Sequence, residues 1–187
     1  MLARGRSHVL LQAPLEITQL FYEADLAESD DVEVVRFWDG LAERVRTGKL
    51  HQNLEIGRLG ERLTIEYETR RVEAAPSWVA INGNQFGYDI LSRTSAVDET
   101  PLKIEVKCTH STISSARFHL TRHEWETARV SKSYVFHLWS VQESSRRLAI
   151  LSVSDVGSHV PEDVGMGMWD SLIVPYKIFE NVFSFIE

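Results

Sequence analysis

The run Lys103-Ile104-Glu105-Val106-Lys107-Cys108-Thr109 alternates charged or polar residues with small apolar ones. Side chains alternate across a strand, so Ile104, Val106 and Cys108 should enter one layer while Lys103, Glu105, Lys107 and Thr109 point the other way. Alone, this is the pattern of a half-solvated surface strand. Asp89 changes the reading. A turn centred near Val97 would make Asp89 and Glu105 cross-strand neighbours on one face, about 5 Å apart. Like charges directly opposite destabilise a sheet, so such a pair makes sense with a divalent cation between them. Mg²⁺ suits the arrangement, and Mn²⁺ would substitute, because such ions take hard oxygen ligands and keep several waters. Asp89 and Glu105 would supply carboxylates and Val106 its carbonyl. The ion would lower the pKa of a bound water and stabilise charge developing on a phosphate. Lys107 would position that water and steady its hydroxide form.

The rest of the chain must hold these residues in place. Periodicity predicts a helix over Ile17 to Glu28 and, after an N-cap region at Asp30 and Asp31, another from Val32 to Arg46 ended by Gly48. A further helix is expected from Gln52 to Thr69, where Gly57 and Gly60 suggest a close approach to another element. Strands are expected at Trp78 to Ile81, Tyr88 to Thr94, Leu102 to Thr109 and Arg117 to Leu120. A helix from Arg122 to Lys132 follows, then strands at Tyr134 to Val141, Leu148 to Val153 and Leu172 to Val174. The order predicts an α/β or α+β layout, a mixed central sheet with a meander and flanking helices.

Composition bounds the alternatives. A chain of 187 residues with 43% hydrophobic residues builds one core with extensions and needs no disulfide, which the single Cys108 could not form internally. That cysteine usage predicts a reducing, cytoplasmic setting. The N-terminal apolar run Val9-Leu10-Leu11 breaks at Gln12 and Pro14, so it does not read as a signal peptide, and no membrane span is expected. A net charge of -7 argues against tight, sequence-independent grip on DNA by this chain alone, and suggests that a partner subunit contributes.

The pattern Gly87-Tyr88-Asp89-Ile90 followed by Ile104-Glu105-Val106-Lys107 resembles the PD-(D/E)xK motif of restriction-endonuclease-like nucleases. The wider set, Ile56-Gly57 through Glu61, then these two motifs, then Leu120 to Glu124, resembles the domain named after the C-terminus of the plant protein NO VEIN. The resemblance covers about residues 50 to 141, and Gly-Tyr stands where the superfamily's name has proline. It implies a restriction-endonuclease-like core over residues 51–153, with a helical extension at 1–50 and a C-terminal extension at 154–187 packed on the same domain. It also implies a Mg²⁺-dependent DNA endonuclease of restriction or antiphage defence, with Asp89, Glu105 and Lys107 as its core. Duplex DNA, a helicase or other defence protein, and a homodimer are the partners this leaves room for. Such nucleases often place an acidic residue on the helix before the meander, a role that falls on Glu61. Glu61 is equally readable as an exposed glutamate paired with Arg58 or Arg62, and Glu55 and Glu66 fit the resemblance less well.

Other signals read as structure. Thr121-Arg122-His123-Glu124 has the spacing of a capping box, which explains Glu124 without catalysis. The cap falls between His119 and His123, so they should not share a zinc ion. Gly165-Met166-Gly167 lacks the strand and helix of a nucleotide-binding loop, and neither a Gly-Lys-Ser/Thr loop nor a Gly-x-Ser-x-Gly elbow occurs. Gln85, Tyr88 and His110 border the expected cleft but suit loop, core or solvated roles as well, and the Trp and Phe residues are expected in the core. The rival to an enzyme is a catalytically inactive module of the same fold that binds a partner protein or nucleic acid.

Overall fold

A computed structural model of the chain describes residues 6–163 and 167–186. The chain divides into two compact units, Met1–Glu55 and Ile56–Glu187. In the first, the expected helix over Ile17 to Glu28 is replaced by two shorter ones, α1 (Arg6–Gln12) and α2 (Leu15–Glu23). Asp25 explains the early stop: its left-handed φ of 57° breaks the helix, and the Leu26 N–H donates back to the Phe21 carbonyl at 2.8 Å. Trp38 anchors this unit, donating from Nε1 to the Leu26 carbonyl at 2.8 Å with the Phe21 ring 4.9 Å away.

Helix α3 (Val32–Val72) runs for 41 residues across the division between the units. Its start follows the sequence, because the Asp31 carboxylate accepts from the Glu33 N–H at 2.8 Å. The expected stop at Gly48 does not occur. Gly48 stays helical, and a glycine ends a helix only where the backbone turns left-handed, so the two predicted helices are one.

In the second unit, a six-stranded sheet has the order β1 (Ser77–Trp78), β2 (Ile90–Arg93), β3 (Pro101–Thr109), β5 (Tyr134–Gln142), β6 (Ser145–Ser152) and β8 (Ser184–Phe185). All neighbours are antiparallel except β3 and β5. That parallel pair needs a crossover. It is made by β4 (Arg117–Thr121) and helix α4 (Arg122–Val130), and β4 pairs with β7 (Ser171–Pro175) in a second small sheet. A short helix α5 (Val153–Gly157) follows β6. The result is an α+β arrangement with a mixed central sheet and flanking helices. Residues 164–166, including most of the Gly165-Met166-Gly167 loop, lie outside the described residues.

Period-two alternation sets the two faces of the sheet. Ile104 and Val106 of β3 and Trp139 of β5 pack with Leu63 of α3. The other face carries Phe136, Leu138, Leu151, Trp125 of α4 and Tyr176. Each fully buried side chain of this kind contributes about 1.5–3 kcal/mol. Gly60 lets α3 lie against β3, since a Cβ there would stand 2.6 Å from the Cys108 Cβ. Gly57 has no such role, because nothing lies within 4 Å of its would-be Cβ. Most Trp and Phe residues are core, but Phe37, Phe86 and Phe185 are exposed, contrary to expectation.

The expected strand at Trp78 to Ile81 is cut to two residues. The Val79 and Ala80 N–H groups both donate to the Asp89 carbonyl, at 2.8 and 2.9 Å, and this folds the chain into a 3₁₀ turn at Ala80–Asn82. Strand β2 also starts later than expected, after Gly87 in the left-handed region at φ 69°.

Candidate active site

The register of the meander follows the turn near Val97: Ile90 pairs with Ile104 and Arg93 with Pro101. Asp89 lies just ahead of this ladder, with its N–H donating to the Ile104 carbonyl at 2.9 Å. Its carboxylate takes the place of a strand partner, accepting the Val106 N–H at Oδ2 (2.8 Å). In place of the expected strand pairing with Glu105, Asp89 is joined to β3 by one backbone bond and one side-chain bond. A cavity of about 420 Å³ lies here. Glu61 of α3, Asp89, Glu105, Val106 and Lys107 all line it, so these five are brought together.

Burial makes these charges unusual. Glu105 is 3% exposed on a face it shares with Tyr134 and Phe136, and this pushes its carboxyl well above the ordinary range. Asp89 is pushed up to about 6, again by burial, against the pull of the Val106 N–H and the Lys107 charge. For Lys107 burial works in the opposite sense, but Glu105 and Glu124 outweigh it and hold the ammonium charged. Its Nζ lies 2.7 Å from Glu105 Oε1 and 3.0 Å from Glu124 Oε1. Lys107 thus stands between the carboxyl groups of Glu105 and Glu124 at the cavity.

Glu61 is buried rather than exposed, and it keeps the expected pairing with Arg58. Its Oε2 pairs with Arg58 Nη1 at 2.6 Å and accepts from the Trp78 indole N–H, and the side chain still lines the cavity. Tyr88 also lines it, under the Lys103 ammonium 5.1 Å from its ring centre. Tyr134 ties down the loop before β2, its hydroxyl donating to the Gly87 carbonyl at 2.8 Å. Gln85 contributes a carbonyl, which accepts from His123 Nε2 at 3.0 Å. His110 is turned to the Val141 carbonyl at 2.9 Å and does not line the cavity. Cys108 packs with Ile104 and Val106 as expected, and burial pushes its thiol up to about 12.

Glu124 is the residue whose part the sequence understates. The capping box is present: Thr121 Oγ1 accepts the Glu124 N–H and Glu124 Oε2 accepts the Thr121 N–H at 2.8 Å. The other oxygen, Oε1, reaches Lys107, and the side chain lines the cavity. The capping spacing is legible in the chain, whereas the contact with β3 exists only because the crossover returns α4 to that strand.

Fold and site together define an α+β domain with a mixed sheet and an acid-rich cavity beside the end of the β2–β3 ladder. Residues 60–151 match the family model described as Protein NO VEIN, C-terminal. No curated protein and no solved structure matches the chain. Among the described residues, no helix is long and apolar enough to cross a membrane.

Proposed function

We propose that the domain is a metal-dependent DNA endonuclease with a restriction-endonuclease-like core, hydrolysing phosphodiester bonds in restriction or antiphage defence. The observation that carries the reading is the gathering of Asp89, Glu105 and Lys107 at one cavity, with buried carboxylates in excess of the cation beside them. Asp89, Glu105 and the Val106 carbonyl would hold Mg²⁺ or Mn²⁺, with Glu61 contributing from α3. The donor set fits such an ion: the oxygens are hard, and the cavity leaves space for water. Bound there, the ion would supply Lewis-acid stabilisation of charge developing on the phosphate. Lys107 orients the attacking water and offsets the negative charge that grows as its oxygen bonds to phosphorus and the P–O ester bond breaks. Burial of Asp89 and Glu105 keeps bulk water from competing for the same oxygens.

A binding module that does no chemistry is favoured by one observation, the net charge of -7, which opposes DNA. The deciding experiment assays wild type and Lys107→Ala on plasmid, single-stranded and modified DNA, with Mg²⁺ or Mn²⁺ and any co-encoded partner. The nuclease reading expects cleavage that falls by roughly two or more orders of magnitude in Lys107→Ala, with metal and DNA binding retained. A wild type inert across the panel, or a variant as fast as wild type, would refute it.

A further inference from the structure

We propose that Glu124 is a positioning residue for Lys107, anchoring its ammonium while Glu105 is engaged elsewhere. The two Glu124 oxygens have separate partners: Oε2 accepts the Thr121 backbone N–H at 2.8 Å, and Oε1 accepts from Lys107 Nζ at 3.0 Å. Glu124 is itself held by the chain, since its N–H donates to Thr121 Oγ1 at 3.3 Å. The capping box therefore fixes one end of the carboxylate and aims the other at the cavity. Lys107 and Glu124 are largely buried, with side-chain exposures of 17% and 18%. A buried ammonium deprived of its carboxylates would be driven out towards solvent.

Glu105 cannot serve as the lasting anchor. It lies 2.7 Å from Lys107 Nζ, but on the nuclease reading, on which this inference rests, its oxygens turn to the divalent ion. Glu124 then supplies the remaining anionic contact that keeps Lys107 aimed at the attacking water. The cap itself asks for less. A box needs an acceptor oxygen at this helix position, and glutamine supplies one. Only Lys107 needs the second carboxylate oxygen, because the amide nitrogen of glutamine would present donors to an ammonium.

Glu124→Gln separates the two roles. It should keep the wild-type unfolding midpoint while kcat for DNA cleavage falls roughly tenfold or more, with KM and half-saturating Mn²⁺ unchanged. A second readout does not depend on cleavage. Uniform ¹⁵N labelling should reveal a slowly exchanging ammonium resonance for Lys107, assigned by its loss in Lys107→Ala. It should persist in wild type with and without Mg²⁺ and broaden away in Glu124→Gln once Mg²⁺ is added. Unchanged kcat and an unchanged resonance in Glu124→Gln would overturn the proposal and leave Glu124 as a cap alone. If wild type cuts no DNA, the nuclease reading fails, and the resonance by itself decides whether Glu124 anchors Lys107.

Discussion

Glu68 and Glu105 are carboxylates with almost no exposed surface, 1% and 3%, and the second unit treats them in opposite ways. Arg71 donates to both oxygens of Glu68, from Nε at 2.8 Å and Nη2 at 2.6 Å, and Ser92 Oγ adds a third bond at 2.5 Å. Arg71 is in turn fixed by the Thr94 and Arg93 carbonyls, each at 2.6 Å. His137 stands 3.9 Å away, and burial pushes it down to about 4, so it adds no charge at neutral pH. The Glu68 carboxylate thus has both a counter-charge and hydrogen bonds to each oxygen. Glu105 shares a cavity with Glu61, Asp89 and Glu124, and Lys107 is the single cation lining it among the described residues. A scaffold carboxylate is given its counter-charge by the fold, whereas the carboxyl groups of this cavity outnumber the cations beside them, Lys107 and the Arg58 paired with Glu61.

The two clusters should respond differently to loss of charge. Glu68→Ala should give the larger effect on stability, about 3 kcal/mol lost in urea unfolding, because it strands the partly buried Arg71 guanidinium. DNA cleavage per folded molecule should be unaffected. A loss below about 1 kcal/mol would mean that the Glu68–Arg71 pair is not a structural clamp.

Asp89→Asn should act in the opposite direction. The folded-state pKa of Asp89, about 6, lies above its ordinary 3.8, so the folded protein binds more protons in that window. Stability from this group therefore falls as pH rises through the window, and is restored on acidification. At about 1.4 kcal/mol per pKa unit, ionised Asp89 costs at most about 3 kcal/mol. Asn can still accept the Val106 N–H, so the variant should be about 1–3 kcal/mol more stable than wild type near pH 8. That gain should fade towards pH 4. A variant less stable than wild type, or a gain independent of pH, would show that Asp89 is comfortable in its cavity and needs no cation. Stability gained at the expense of function is the mark of a strained site.

These two clusters were unequally legible in the chain. The turn near Val97 and the alternation along β3 put Asp89, Glu105 and Lys107 together, because both signals are local and the meander register follows from them. The Glu68 clamp and the second contact of Glu124 depend on packing of α3 and α4 against the sheet, which no short spacing encodes. Residue type alone does not set the helix ends: Gly48 continues the helix, while Asp25, unremarkable by type, stops one. The strand at Trp78 was shortened for a similar reason. Its apolar run suits β structure, but the Asp89 carbonyl captures the two N–H groups that would have continued it. The restraint of Asp89 by the Val106 N–H was hidden too, since a side chain that replaces a ladder bond leaves no mark in periodicity.

On the proposed function, Asp89 and Glu105 hold a divalent ion. Isothermal titration of Mn²⁺ into wild type, Asp89→Asn and Glu68→Gln tests it without requiring DNA or a partner. Wild type and folded Glu68→Gln should bind Mn²⁺ saturably, and Asp89→Asn should lose that binding. Equal binding by wild type and Asp89→Asn, or none by wild type, would contradict this role.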